Sequence, residues 1–292
     1  MTRISCDGER WRFLTRGPIG ALFLGVFHFC PTQSLQATPI LSFSVAHAEE
    51  QSSIIGELTV FAAASLTAPF TEIGKRLELS HPGLKVVYNF GGSQMLRTQL
   101  ELGAYTDVFA SADAVQMERA KKSGVVQGES SIFVRNRLAV IVPQANPGQV
   151  KEFRDLAKPA LKLDLANAKV PVGNYSRQAI SKASADYGVD FEKQVLANIV
   201  SEEDNVKQVV TKVQLGEVDA GIVYICDVTP EISKEVRLVP IPDAYNQIAA
   251  YPIALTKEVK NSAAAKAFIS FVLSAEGQAI LKAYNFAPIN AR

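Results

Sequence analysis

From residue 58 onward, short apolar runs alternate with stretches whose apolar positions recur every three or four residues. The run 58–63 reads as a strand, and Leu66, Phe70, Ile73 and Leu77 then fall at helical spacing over 66–77. The same pairing repeats with strand 85–90 before helix 94–102, and strand 107–110 before helix 114–122, where Gly124 stands as a helix-ending glycine. A strand over 137–142 stops at Pro143, and Asn146-Pro147-Gly148 is a turn. A second series begins near Phe153. It has strands at 162–165, 220–224, 236–241 and 249–255, and helices at 175–187, 190–198, 206–215, 263–273 and 275–284. Such alternation predicts an α/β protein with parallel strand pairing and helices on both faces.

The first 48 residues follow a different pattern. Arg3, Arg10, Arg12 and Arg16 precede an apolar stretch, and 17–48 contains no charged side chain. The stretch is long enough to span a membrane, but Pro31 and Pro39 interrupt it. It ends in Ala46-His47-Ala48, the small-residue pattern of a cleavage site. The segment 1–48 is therefore expected to be a signal peptide cleaved after Ala48. The residues before Cys30 are too bulky for a lipidation site. Removal of the leader leaves 26 basic and 27 acidic residues. That balance offers no electrostatic footprint for nucleic acid and no polybasic membrane patch. Cys6 and Cys30 leave with the leader. Cys226 remains alone, so no internal disulfide is possible in the exported form.

Four places share one local design, in which a strand ends, small or polar residues follow and a helix begins. They are Ala62-Ala63-Ala64-Ser65, Gly91-Gly92-Ser93, Pro171-Val172-Gly173-Asn174 and Glu203-Asp204-Asn205-Val206. A helix start presents unpaired N–H groups and partial positive charge, which suits an anion. Each turn taken alone is ordinary capping or turn chemistry. Four together point to a cleft at the carboxyl ends of the strands. Tyr224, at the end of the 220–224 strand, could add a hydroxyl, or could be a core-edge residue bonded to backbone. Glu203 and Asp204 are candidate acceptors for a protonated anion, and Arg177 and Lys207 could raise the local potential. Ordinary helix-terminal or solvated surface charge is the competing reading of all four.

The order of these pieces resembles the periplasmic molybdate-binding proteins. Leu58-Thr59-Val60-Phe61-Ala62-Ala63-Ala64-Ser65-Leu66-Thr67 is similar to their opening strand and first ligand loop, and Phe90-Gly91-Gly92-Ser93 with Leu96, Gln99 and Leu100 to the second. Thr106 to Asp113, Gly221-Ile222-Val223-Tyr224 with Asp227, and Ser274 to Gln278 with Tyr284-Asn285-Phe286 complete the likeness over about residues 57–288. The resemblance implies a two-lobed type II binding-protein fold, with two mixed, mainly parallel sheets flanked by helices and a ligand cleft between lobes. The lobes would be 49–139 plus 243–292, and 140–242, with crossovers near 139–143 and 239–243. It implies an oxyanion, molybdate or tungstate, held by Ser65, Ser93, Val172, Val206 and Tyr224 with no direct metal ligand and no cofactor. The serines would give hydroxyl and backbone N–H groups, the valines backbone N–H groups, and Tyr224 its hydroxyl. The implied partner is the membrane permease of an ATP-driven importer, served by a periplasmic monomer. Two positions depart from the family pattern: Val172, where Ala is frequent, and Gly92, where Ser is frequent.

Enzyme chemistry finds little support. His81 is the one histidine after the leader and stands in a His-Pro-Gly turn, so Ser65 has no evident base. Zinc ligands are too few, and no phosphate-loop or dinucleotide fingerprint is present. The alternatives are a binding protein for sulfate, phosphate or a small organic anion, and a membrane-tethered sensor domain that keeps the leader as an anchor. A carboxylate ligand would call for an arginine in the cleft.

Overall fold

The computed structural model describes residues 54–289. The leader, its Ala46-His47-Ala48 pattern, Cys6 and Cys30 lie outside the described residues.

The first three strands, β1 (Gly56–Ala63), β2 (Leu84–Gly91) and β3 (Val108–Ala110), alternate with α1 (Thr67–Ser80) and α2 (Ser93–Glu101), and α3 (Ala114–Lys122) follows. β1 pairs in parallel with β2 and β3. Helix α1 turns Phe70, Ile73 and Leu77 onto this sheet, all at 2% exposure or less. Burial of each stabilises the packing by roughly 1.5–3 kcal/mol. Gly124 ends α3 with φ of +75°, a backbone conformation that glycine adopts without a Cβ penalty.

β4 (Ser131–Pro143) is the longest strand and serves two neighbourhoods. Residues between Ser131 and Arg137 pair antiparallel with β9 (Ile248–Leu255). From Leu138 onward it pairs antiparallel with β7 (Ala220–Tyr224) and β8 (Val236–Pro240). β5 (Leu163–Ala166) lies parallel to β7 and to β6 (Ile199–Glu203). The strand order is β2-β1-β3-β9-β4-β7-β5-β6, with β8 on β4. Helices α4 (Pro171–Tyr187), α5 (Phe191–Ala197) and α6 (Val206–Gln214) accompany β5 to β7. Helices α7 (Ser262–Leu273) and α8 (Ala275–Ala283) close the chain.

The α/β alternation is thus present as expected, with three differences. Simple alternation predicts parallel pairing, yet the strands β4 and β9 bring antiparallel pairing to β3, β7 and β8 as well as to each other. β6 was implied only by the turn at Glu203-Asp204-Asn205-Val206 and had no strand run of its own in the sequence: it lies at the end of the strand order, is half exposed, and carries Ser201, Glu202 and Glu203 rather than an apolar run. α4 starts four residues ahead of its apolar periodicity, because Pro171 occupies its first turn, where the missing N–H costs nothing. The Pro171-Val172-Gly173-Asn174 turn is therefore the first turn of the helix itself. Among the described residues no single helix is long and apolar enough to cross a membrane.

Candidate functional site

The carboxyl ends of β1, β2 and β7 and the N-termini of α2, α4 and α6 meet around one small hollow. Ser65, Ser93, Val172, Val206 and Tyr224 all line it, together with Ala63, Ala64, Gly91, Gly92, Ala112, Val170, Pro171 and Asn205. Residues more than 150 positions apart are brought to one small cavity, and none of the lining residues carries a formal charge.

The surroundings of the candidate donors differ. Ser93 opens α2 and is 1% exposed. Its Oγ accepts the Ala112 N–H at 3.0 Å, so its own proton remains to be given elsewhere. Ser65 sits in the 3-10 turn Ala64–Leu66 that links β1 to α1, and its Oγ lies 3.0 Å from Tyr251 Oη. Val172 is the second residue of α4, where a helix has no internal partner for its N–H. At α6 the side chain of Asn205 caps the helix by accepting from the Lys207 and Gln208 N–H groups at 3.0 and 3.3 Å. Val206, the first residue of α6, is not among the donors that this cap takes up. Tyr224 is 1% exposed, and its Oη has no hydrogen-bond partner among the described residues. Burial holds its pKa well above the usual phenol value, so the hydroxyl keeps its proton and can donate. A buried hydroxyl without a partner is costly unless something fills the role.

The candidate charged groups face elsewhere. Arg177 is committed to Glu202 and to the Ala166 and Gly173 carbonyls. Lys207 Nζ lies 3.0 Å from the fully buried Asp227 carboxylate. Burial opposes its charge, but Asp227 outweighs that effect and raises its pKa. Glu203 accepts from Lys212 Nζ at 2.5 Å and from Ser201 Oγ at 2.6 Å. Neither Glu203 nor Asp204 lines the hollow, so no carboxylate stands there to accept a proton from a ligand, and no arginine stands there to pair with an organic carboxylate. His81 lies past the end of α1 and is likewise absent from the lining.

Glycine at position 92 has a steric reason. A Cβ there would lie 2.3 Å from the Asp204 carbonyl oxygen. The segment before α6 approaches the Gly91-Gly92-Ser93 loop that closely, and the Gln94 side-chain amide donates to the same carbonyl at 3.0 Å. Gly173 is similarly hemmed in, with the Asn167 and Ala166 carbonyls 2.2 and 2.3 Å from its would-be Cβ.

Sequence reasoning missed Ala112, whose N–H steers Ser93, and the polar residues Tyr251, Asn136 and Cys226 packed behind Ser65.

Comparison with known proteins gives the family and the fold. The family model for bacterial extracellular solute-binding proteins matches residues 58–287. The molybdate-binding protein ModA of Mycobacterium tuberculosis is 34% identical over 278 residues, which is 95% of this chain and 99% of the relative. Among solved structures, the periplasmic molybdate-binding protein of Azotobacter vinelandii superposes with a TM-score of 0.69 at 22% identity, over 79% of this chain and 98% of that one. The sulfate-binding protein SubI of Mycobacterium tuberculosis gives a TM-score of 0.72 at 17% identity, over 80% and 87% of the two chains. At these identities the two structures speak for the fold alone. The family match covers most of the chain, and the chain belongs to the bacterial extracellular solute-binding proteins.

Proposed function

We propose that this protein captures molybdate, and tungstate with it, and hands the anion to the permease of an ATP-driven importer. The observation that carries the reading is the lining of the hollow: five candidate donors and no formal charge brought together in one place. Molybdate, tungstate and sulfate carry no proton at neutral pH, so a wall of donors meets every oxygen favourably. Phosphate keeps a proton part of the time and would leave it facing another donor. The relative named for molybdate binding matches nearly the full length of both chains, which favours molybdate over the other dianions. The family consists of binding proteins, so the chemistry is capture and release rather than catalysis.

Ser65 and Ser93 contribute hydroxyl and backbone N–H groups, Val172 and Val206 backbone N–H groups, and Tyr224 its hydroxyl. Two lobes, 49–139 with 243–292 and 140–242, would close around the anion. What supports this division is the change of partner along β4, from β9 up to Arg137 to β7 and β8 from Leu138. Closure excludes water and strengthens each hydrogen bond to the dianion. The protein belongs to an exported family, and the periplasm, reached by cleavage after Ala48, is the compartment that fits the leader.

Calorimetric titration of the exported protein with molybdate, tungstate, sulfate and phosphate tests the reading. Tight 1:1 binding of the first two, with weak binding of the others, is the expected result. Tight sulfate binding with weak molybdate binding would replace molybdate by sulfate. No binding of any of the four would remove the oxyanion reading.

A further inference from the structure

Ser65 is backed by a buried polar cluster that the capture reading does not use. Tyr251 on β9 is 0% exposed and Asn136 on β4 is 1% exposed. Tyr251 Oη lies 3.0 Å from Ser65 Oγ and 3.5 Å from Asn136 Nδ2. Asn136 Nδ2 also donates to Cys226 Sγ at 2.9 Å, and Cys226 Sγ faces the Ser65 carbonyl at 3.9 Å. The Tyr251 ring packs edge-on against Tyr224 with centroids 5.8 Å apart, so the cluster stands directly behind two of the ligand-facing residues.

The direction of every proton in this chain can be deduced. The Arg137 backbone N–H points at Asn136 Oδ1 at 2.9 Å. A backbone N–H only donates, so the atom that faces it is the amide oxygen, and the amide nitrogen faces Tyr251 and Cys226. That nitrogen has no acceptor capacity. Among its described hydrogen-bond partners, Tyr251 therefore has one acceptor for its phenolic proton, Ser65 Oγ. Ser65 Oγ receives that proton, and the Ser65 proton is left for the cavity that Ser65 lines. The reverse arrangement, with Ser65 donating to Tyr251, would strand a buried phenolic proton.

We propose that Tyr251, oriented by Asn136, is a positioning and specificity-determining residue that fixes Ser65 as a donor toward the bound anion. The inference rests on the oxyanion reading above. Ser93 receives the same instruction from the Ala112 backbone N–H. Each hydroxyl then has one lone pair taken by its neighbour and its proton free for the cavity, which favours donation to an unprotonated oxygen over acceptance of the proton of hydrogen phosphate. The Tyr251 and Asn136 side chains thus favour an unprotonated anion from one layer behind the cavity.

The test is titration of the exported protein and its variants with molybdate and with inorganic phosphate at pH 7. Tyr251→Phe keeps the ring that packs on Phe133, Tyr224 and Phe286, so a thermal melt without ligand should be near that of the wild type. It is expected to weaken molybdate binding by about tenfold and to narrow the molybdate-over-phosphate ratio. In a Ser65→Ala background, Tyr251→Phe should cost nothing more, because Tyr251 acts through Ser65. An unchanged affinity and ratio in Tyr251→Phe, or losses that multiply in the double variant, would overturn the inference while wild-type molybdate binding stands. Wild-type protein that binds no oxyanion would overturn the capture reading and this inference with it.

Discussion

In the proposed anion site the two sides supply their donors by different means. Ser65 and Ser93 give hydroxyl groups whose protons are steered by neighbours, Tyr251 in one case and the Ala112 backbone in the other. Val172 and Val206 have no polar side-chain atom to give, and their contribution is the N–H of a helix's first turn. The first side should be vulnerable to loss of a single side-chain oxygen. Val172 and Val206 should be indifferent to their own side chains and vulnerable only where the backbone is displaced, whereas Tyr224 beside them should behave as the serines do. Selectivity that depends on a proton's direction therefore belongs to the serine side, and much of the net attraction for negative charge to the helix termini.

The sharpest way to break this division is to move the backbone. Gly92→Ala puts a methyl group 2.3 Å from the Asp204 carbonyl and forces the loops before α2 and α6 apart. We expect a loss of molybdate affinity of about hundredfold by titration calorimetry, beyond that of any single donor deletion. Next come the hydroxyls. Ser65→Ala, Ser93→Ala and Tyr224→Phe should each weaken binding by roughly tenfold or more, since a hydrogen bond to a charged group is worth about 1.5–3 kcal/mol. Normal affinity in all three would remove the site assignment. Val172→Ala should leave affinity within about twofold of wild type, because its donor is the backbone. A large loss there would show that the valine side chain shapes the cavity.

One further substitution separates binding from stability. Asp164 on β5 is fully buried, and neither of its oxygens has a hydrogen-bond partner among the described residues. Burial, with the Glu203 carboxylate adding to it, pushes its pKa up to about 7. The folded pKa thus lies above the ordinary carboxylate value of about 3.9. Between those two values the folded protein holds a proton that the unfolded chain releases, so stability falls as pH rises from about 4 to about 7 and then levels. Asp164→Asn should match the wild type near pH 4 and exceed it increasingly up to neutrality in denaturant melts, with no change in molybdate affinity. A gain that is the same at every pH would refute the titration.

What the sequence disclosed and what it hid follow the range of the interactions. β7 was readable because 220–224 is a short apolar run that starts just after Asp219 and is buried throughout. Four of the five candidate donors belong to local strand-to-helix turns and Tyr224 ends a strand, so these positions could be singled out from the sequence, and the structure brings all five to one hollow. β6 escaped because an exposed strand at the end of the order needs no apolar face, and the first half of β4 because Arg135 and Asn136 interrupt its hydrophobic run. Tyr251 escaped for a different reason. Its importance lies in contacts 186 and 115 residues away in sequence, and no local pattern announces such a pairing. The local part of the site could be read from residue types, and the layer behind it only from the fold.

The most direct test of the central claim is a crystal of the exported protein grown with molybdate and measured with X-rays at the molybdenum absorption edge. The account predicts one strong anomalous peak inside the hollow, with oxygens bonded to the Ser65, Ser93 and Tyr224 hydroxyls and the Val172 and Val206 N–H groups. A peak elsewhere on the protein, or none in crystals soaked to saturation, would contradict it.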